Sequence, residues 1–346
     1  MVATIVLDAG LRRQRNIASY ARPMLLHLRL TVPSELGDAV VDLLRHDDRS
    51  ANLTVSRGAS LSPVGDLVEC DVARELAGEI IARLKGLGLH ESGGIVVTTP
   101  TSTPFAAARR LERVAPGDPD DAVVWDTVIE QCYAASRATV SYYLFFVLAT
   151  LLAATAVITD SAVLVVGAMV VGPEFGTVAA IATGLVFGRL GLSRRALQLL
   201  ASGVVVSIVV VALLSLIGDL TGLVTADMVT RPRPQTGFIW HPDRWSFIVA
   251  LIAGAAGVLA MTTARANAMV GVFISVTTIP AVGNLALALG VWAPSEIRGS
   301  IAQLGVNVAG MVVAGVVVLV LQRLLWVRTL RTAQRLFGRG GQLPTR

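Results

Sequence analysis

Between residues 139 and 326 the chain is a succession of apolar stretches, each about as long as the 20 residues a helix needs to cross a hydrocarbon layer of roughly 30 Å. Nothing else in the sequence restricts the fold as strongly. Lipid offers no water to free N–H and C=O groups, so a chain of this kind crosses as helices or as a closed barrel. The stretches are unbroken apolar runs, not short alternating ones, which selects helices. Six are predicted, at 139–158, 162–187, 196–217, 245–263, 268–291 and 301–326. The chain is 54% hydrophobic and only 15% charged, outside the range of a soluble globular protein.

Arginine decides their direction. Lys85 is the single lysine, so the net charge of +5 rests on arginines, and most of these flank the apolar stretches. Arg137, Arg189, Arg194, Arg195, Arg265, Arg323, Arg328, Arg331, Arg335 and Arg339 all fall on one side when both termini are cytoplasmic. The opposite side receives the short turn at Asp160, a loop over 218–244 and the Glu296–Arg298 connection. The expectation is a multi-pass protein of the cell membrane whose partner is the lipid bilayer, not a nucleic acid.

The second stretch is interrupted. Over 159–177 it carries Asp160, Ser161 and Glu174 and a Gly-Pro-x-x-Gly break at Gly172, Pro173 and Gly176. Proline removes a backbone donor and disfavours helix at the residue before it, so the segment unwinds near Pro173. Such a break survives in lipid only where protein or water satisfies the freed groups. A carboxylate beside it is the arrangement of a substrate or ion pathway. Sliding the second half of the chain back by 107 positions aligns Asp160 with Asn267, Pro173 with Pro280, Gly176 with Gly283 and Gly203 with Gly310. Each half then holds three spans, an odd number, so the copies insert in opposite senses. The membrane domain is expected to be all-α, an inverted 3+3 repeat with broken second and fifth helices. The pathway candidates are Asp160, Ser161, Gly172, Pro173, Glu174, Gly176, Asn267, Pro280, Gly283, Asn284 and Asn307, with Thr177, Thr277, Thr278 and Gln303 as further polar neighbours. A plain kinked packing helix, with Glu174 at the membrane surface and Asp160-Ser161 as a helix cap, is the bland alternative.

Residues 24–100 read as a soluble α+β module. Leu26, Leu28, Leu30 and Val32 alternate with His27, Arg29 and Thr31 as in a half-buried strand. Ser34 is expected to cap a helix carrying Leu36, Val40, Leu43 and Leu44. Strands follow around Leu53 and Val55 and around Val68, Cys70 and Val72. A second helix with Leu76, Ile80, Leu84 and Leu87 ends at Gly86 or Gly88, and Ile95 to Thr99 forms the last strand. The order βαββαβ is the split βαβ, ferredoxin-like arrangement, expected in the cytosol. His27, Arg29 and Arg57 are its candidates for a small-molecule ligand, and its open sheet edges point to a homo-oligomer. Residues 1–23 are expected to be a flexible basic arm without a secretory cleavage site, 101–138 a linker with a short basic helix around Arg109, Arg110 and Arg113, and 327–346 a basic cytoplasmic tail. Asp120 and Asp121 are expected to open a connector helix carrying Val123, Val124, Val128 and Ile129.

Cys70 and Cys132 make neither a disulfide framework nor a metal quartet. A metal site at Asp42, His46 and Asp47 is less expected than a solvated helix face. No hydrolase elbow, His-Glu-x-x-His pair, phosphate loop or intramembrane protease motif occurs, so no enzyme, cofactor or metal is expected.

Ser136-Arg137, Thr159-Asp160-Ser161, Gly167-Ala168-Met169 and Pro173-x-x-Gly176 resemble the signature of the bacterial membrane family called domain of unknown function 389, over residues 24 to about 326. The resemblance implies the fold, the topology and the membrane location. Where that family continues with an apolar Ala-Pro-Leu-Met-Gly-Pro, this chain has Gly-Pro-Glu-Phe-Gly-Thr, so Glu174 is a departure. Two functions remain from the sequence. The first is a transporter or channel-like protein for a small solute or ion, regulated or assembled through its cytosolic domain. The second is a membrane-anchored oligomeric sensor or scaffold whose cytosolic domain binds a small ligand or partner.

Overall fold

A computed structural model describes residues 25–47, 49–100, 102–114, 122–263 and 278–337, in two compact units that divide after Trp125. The basic arm over 1–23, Asp120, Asp121, Asn267 and Thr277 lie outside the described residues.

The first unit is a four-stranded antiparallel sheet with helices. Its elements are β1 (Leu25–Pro33), α1 (Gly37–Arg45), β2 (Ser50–Leu61), β3 (Val64–Ala73), α2 (Arg74–Gly86), the short α3 (Leu89–Ser92) and β4 (Gly94–Thr98). The strands stand in the order β2-β3-β1-β4. On β1, Leu26, Leu28, Leu30 and Val32 point into a core with Val40, Val41 and Leu44 of α1 and Ile80, Ile81 and Leu84 of α2. Each such side chain contributes roughly 1.5–3 kcal/mol by leaving water. The alternation is therefore read correctly from sequence, because it reports one buried face. Ser34 is not the helix cap that its residue type suggests. Its hydroxyl donates to the Val64 carbonyl at 3.2 Å, and Leu36 occupies the cap position without a side-chain bond.

The basic helix forms as α4 (Ala106–Val114), with Ala108 and Leu111 buried against Leu25, Ala51, Ala73 and Leu76. The next helix, α5 (Trp125–Ala135), starts later than expected. Val124 is drawn into the sheet core, and Arg74 Nε donates to the Ala122 carbonyl at 3.0 Å.

The second unit is helical. It contains α6 (Val140–Thr159), α7 (Ala162–Val171), α8 (Glu174–Val186), α9 (Leu190–Leu220), α10 (Ala226–Thr230), α11 (Arg244–Thr262), α12 (Thr278–Gly290) and, as far as Arg328, α13 (Pro294–Phe337). Helices α6, α9, α11 and α13 are each long and apolar enough to cross a membrane, and the bent pair α7–α8 makes a fifth candidate. The fifth predicted span corresponds to α12 over 278–290; its earlier residues lie outside the described ones. Leu144, Leu148, Val209, Leu213, Ile252 and Leu321 are exposed on these helices, a surface suited to lipid and not to water.

Small residues let the helices approach. A Cβ on Gly203 of α9 would lie 2.9 Å from Tyr142 and 3.0 Å from Phe146 of α6, and one on Gly310 of α13 would lie 2.8 Å from Ala250 of α11. Gly257 of α11 lies against the Phe175 ring of α8, while Gly283 of α12 packs on Ala153 and Thr150 of α6. Gly290 of α12 meets Ser215 of α9, and Gly315 of α13 meets Ala182 of α8.

Candidate functional site

The break at Pro173 is present where the sequence places it. Helix α7 stops at Gly172, whose backbone is extended, and α8 restarts after Pro173 at a bend of 53°. Proline cannot donate to the preceding turn, and Gly172 cannot stay helical in front of it, so the two halves separate. A Cβ built on Gly172 would sit 2.6 Å from Ile279 Cγ1 and would strike the Glu174 carboxylate. The first break therefore touches the chain beside Pro280, which lies in the first described turn of α12. Glycine is required at 172 by this approach.

Glu174 is buried at the crossing, 6% exposed, and its Oε2 has no hydrogen-bond partner among the described residues. The Thr278 hydroxyl, fully buried next to Ile279, and the Tyr142 hydroxyl are likewise without one. Tyr142 lies beside Thr177 and within electrostatic reach of Glu174. Thr177 Oγ1 donates to the Glu174 carbonyl at 2.6 Å, within the first turn of α8. Buried polar atoms without partners are rare in proteins and gather where a site has work to do.

The other candidates take separate places. Ser161 caps α7, accepting from Leu164 N at 3.4 Å, and Asp160 stands in the left-handed region at φ 48°. Asp160 accepts from Gln235 N at 3.2 Å and from Thr236 Oγ1 at 2.9 Å, which ties the α6–α7 turn to the loop after α10. Gly283 packs on α6. Asn307 is buried on α13 and accepts from Gln303 Nε2 at 3.3 Å. Asn284 joins a buried ion-pair network. Arg233 donates through Nη2 to both Glu296 oxygens at 2.7 and 2.6 Å and through Nη1 to Asn284 Oδ1 at 2.9 Å. Asn284 Nδ2 donates in turn to Glu296 at 2.8 Å and to Ser300 at 2.9 Å. Sequence reasoning missed Arg233 and Tyr142. An arginine held between Pro232 and Pro234, in the loop over 218–244, was the available signal for the first.

Two groups of connections emerge at opposite ends of the helices. The Asp160 turn, the loop with Arg231, Arg233 and Gln235, and Glu296 at the start of α13 are joined by hydrogen bonds, including Arg231 to the Ile158 carbonyl at 2.7 Å. At the other ends, Arg189 reaches Tyr133, and Arg323 lies over the Phe187 ring at 5.5 Å.

In the first unit, His27 and Arg29 share the open face of β1. His27 Nδ1 lies 2.9 Å from Asp71, Arg29 lies 3.9 Å from Glu69, and Asn52 donates to Asp71 at 2.8 Å. Arg57 is engaged elsewhere, by Asp66 at 2.7 Å and Asp38 at 2.8 Å. Asp47 is held by Arg49 at 2.6 Å and Arg83 at 3.1 Å. Burial opposes the charge on Asp47, but hydrogen bonds from Arg49 and the charges of Arg49 and Arg83 outweigh it and hold this carboxyl below the usual carboxylate range.

No curated protein and no solved structure matches the chain. Residues 169–313, which run from the end of α7 through the crossing and the Arg233 network into α13, match the model of the family described as Domain of unknown function (DUF389).

Proposed function

We propose that the helical unit is a transporter or channel-like domain for a small solute or ion, with its pathway at the crossing of the two broken helices. The observation that carries this reading is the contact of Gly172 with Ile279. These residues are 107 positions apart, the offset of the internal repeat, and equivalent residues meet only beside a two-fold axis. The packing contacts support the same relation. Exchanging the first three spans with the last three turns the Gly203 contact into the Gly310 contact, Gly257 on α8 into Gly283 on α6, and Gly290 on α9 into Gly315 on α8. On this reading the unit has six spans in an inverted 3+3 repeat, with discontinuous helices at the middle as in secondary transporters. The segregation of connections fits an even number of crossings, with Arg189 and Arg323 on the cytoplasmic side. The sheet unit is read as a ferredoxin-like cytosolic module, both termini as cytoplasmic, and the protein as a homo-oligomer of the cell membrane that the module assembles or regulates through a small ligand.

The test is single-cysteine labelling in a Cys70→Ser, Cys132→Ser background, with cysteines at Met169, Thr177, Ile279 and Val282 and a control at exposed Thr230. Small aqueous reagents are expected to modify Thr177→Cys and Ile279→Cys in vesicles. If all four positions stay unreactive from both sides while the control reacts, the breaks line no water path and the reading is wrong.

A further inference from the structure

The charge balance at the crossing bears on what passes there, and this step rests on the pathway reading above. Among the described residues of the helical unit two carboxylates are buried, Glu174 and Glu296. Glu296 has its counter-charge in Arg233. Among the described residues, no basic side chain contacts Glu174. Among the described residues, the titratable side chains that face α8 from its neighbours are Tyr142 of α6, Cys132 of α5, and Arg189 and Arg323, while Tyr143 is bonded to Ser202 and Arg194, Arg195 and Asp219 of α9 and Arg244 of α11 are exposed. Cys132 is bonded to Thr183 at 3.4 Å, more than two turns along the helix from Glu174. Arg189 and Arg323 engage Tyr133, Phe187 and the Val186 carbonyl at the far end of α8, about 18 Å from Glu174 along the axis. A buried carboxylate with no cation beside it among the described residues calls for a positive charge from outside, either a proton on its own oxygen or a bound cation.

The surroundings choose between the two. A dehydrated metal cation takes about six oxygens or more. Around Glu174 stand Gly172 and the Ile279 side chain, and besides the carboxylate itself the crossing offers, among the described residues, the hydroxyls of Thr177, Tyr142 and Thr278, fewer oxygens than a dehydrated cation takes. A proton asks for one oxygen, and Oε2 is the buried one without a partner. We infer that Glu174 is a reversible proton-binding site on the pathway, so that a proton is the transported or coupling species.

Infrared difference spectroscopy on the full chain in vesicles after a pH jump reads this site directly. The expected result is a carboxylic-acid C=O band that disappears as pH rises and returns as it falls. The band should be absent in Glu174→Gln and shifted but still titrating in Glu174→Asp. Three outcomes overturn the inference: no band that Glu174→Gln removes, a band that bulk pH does not move, or a band displaced by sodium or potassium at constant pH, the last assigning a metal-cation site instead. The labelling experiment separates this failure from that of the pathway. Reactive Thr177→Cys and Ile279→Cys without a titrating band retain the pathway and reject the proton. A titrating band with unreactive cysteines leaves a buried acid with no pathway and rejects both.

Discussion

Arg233 is the side chain whose loss the structure makes most costly. Its guanidinium makes two charge-assisted bonds to Glu296 and one to Asn284, with Arg233 and Glu296 only 6% and 2% exposed. In Arg233→Ala the Glu296 carboxylate keeps one bond, from Asn284 Nδ2 at 2.8 Å, and no counter-charge. Two charge-assisted bonds at about 1.5 kcal/mol each give a lower figure of about 3 kcal/mol, and breaking a buried pair from one side costs about 3–5 kcal/mol. The position of Glu296 in the first turn of α13 returns part of this, about 0.3–1 kcal/mol, through the helix dipole. A net loss of about 3 kcal/mol lowers the melting midpoint of a unit this size by about 6–12 °C. Tryptophan fluorescence in mild detergent is the assay, since Trp240 packs directly on Gly299 in the same region. Removing both charges with Arg233→Met and Glu296→Leu should restore most of the loss, because an apolar pair has no desolvation cost. If Arg233→Ala costs less than about 1 kcal/mol, the value for a solvated surface pair, the buried-network argument is refuted.

Other consequences can be measured on the same preparations. Gly283→Val drives a side chain into Ala153 and the Ala154 backbone and should cost about 1–3 kcal/mol, whereas Gly78→Ala in α2 meets nothing within 4 Å and should stabilise by about 0.4–1 kcal/mol in thermal melts. The lowered Asp47 carboxyl contributes stability that is present above its unfolded value of about 4 and lost as pH falls through the folded one, so Asp47→Asn should flatten the acid limb of the unfolding curve. Burial, with the charges of Asp71 and Asp47 adding to it, pushes the Cys70 thiol up to about 12. A thiol reagent at neutral pH should therefore modify Cys70 only as fast as the sheet unit opens; rapid labelling of folded protein would contradict the buried core. Asp160→Ala should raise protease cleavage within 221–243, because the loop loses its bonds from Gln235 and Thr236 and alanine tolerates the left-handed backbone poorly.

The local rules read well wherever one interaction dominated. Strict alternation located β1, because only a sheet face buries every second residue, and the Pro173 break followed from a missing donor. They failed where a distant partner competed. Ser34 has the composition of a cap, yet its hydroxyl goes to Val64, across the start of β3. Asn284 was legible as a polar residue near a break, but its partners Arg233 and Glu296 are separated from it by 51 and 12 positions. The expected ligand candidates of the sheet unit divide for the same reason: His27 and Arg29 share a face by periodicity, while Arg57 is taken by Asp38 and Asp66.

By itself the sequence determined that this chain has membrane-length apolar helices, a broken second one, and a sheet unit with one buried face. These follow from hydropathy, proline geometry and side-chain period, all properties of neighbouring residues. Only the tertiary structure decided that Gly172 meets Ile279, that Glu174 stands there without a counter-charge among the described residues, and that Arg233 is buried over Asn284 and Glu296. Each of these depends on contacts between helices far apart in the chain, where packing, not local preference, sets which polar groups find partners.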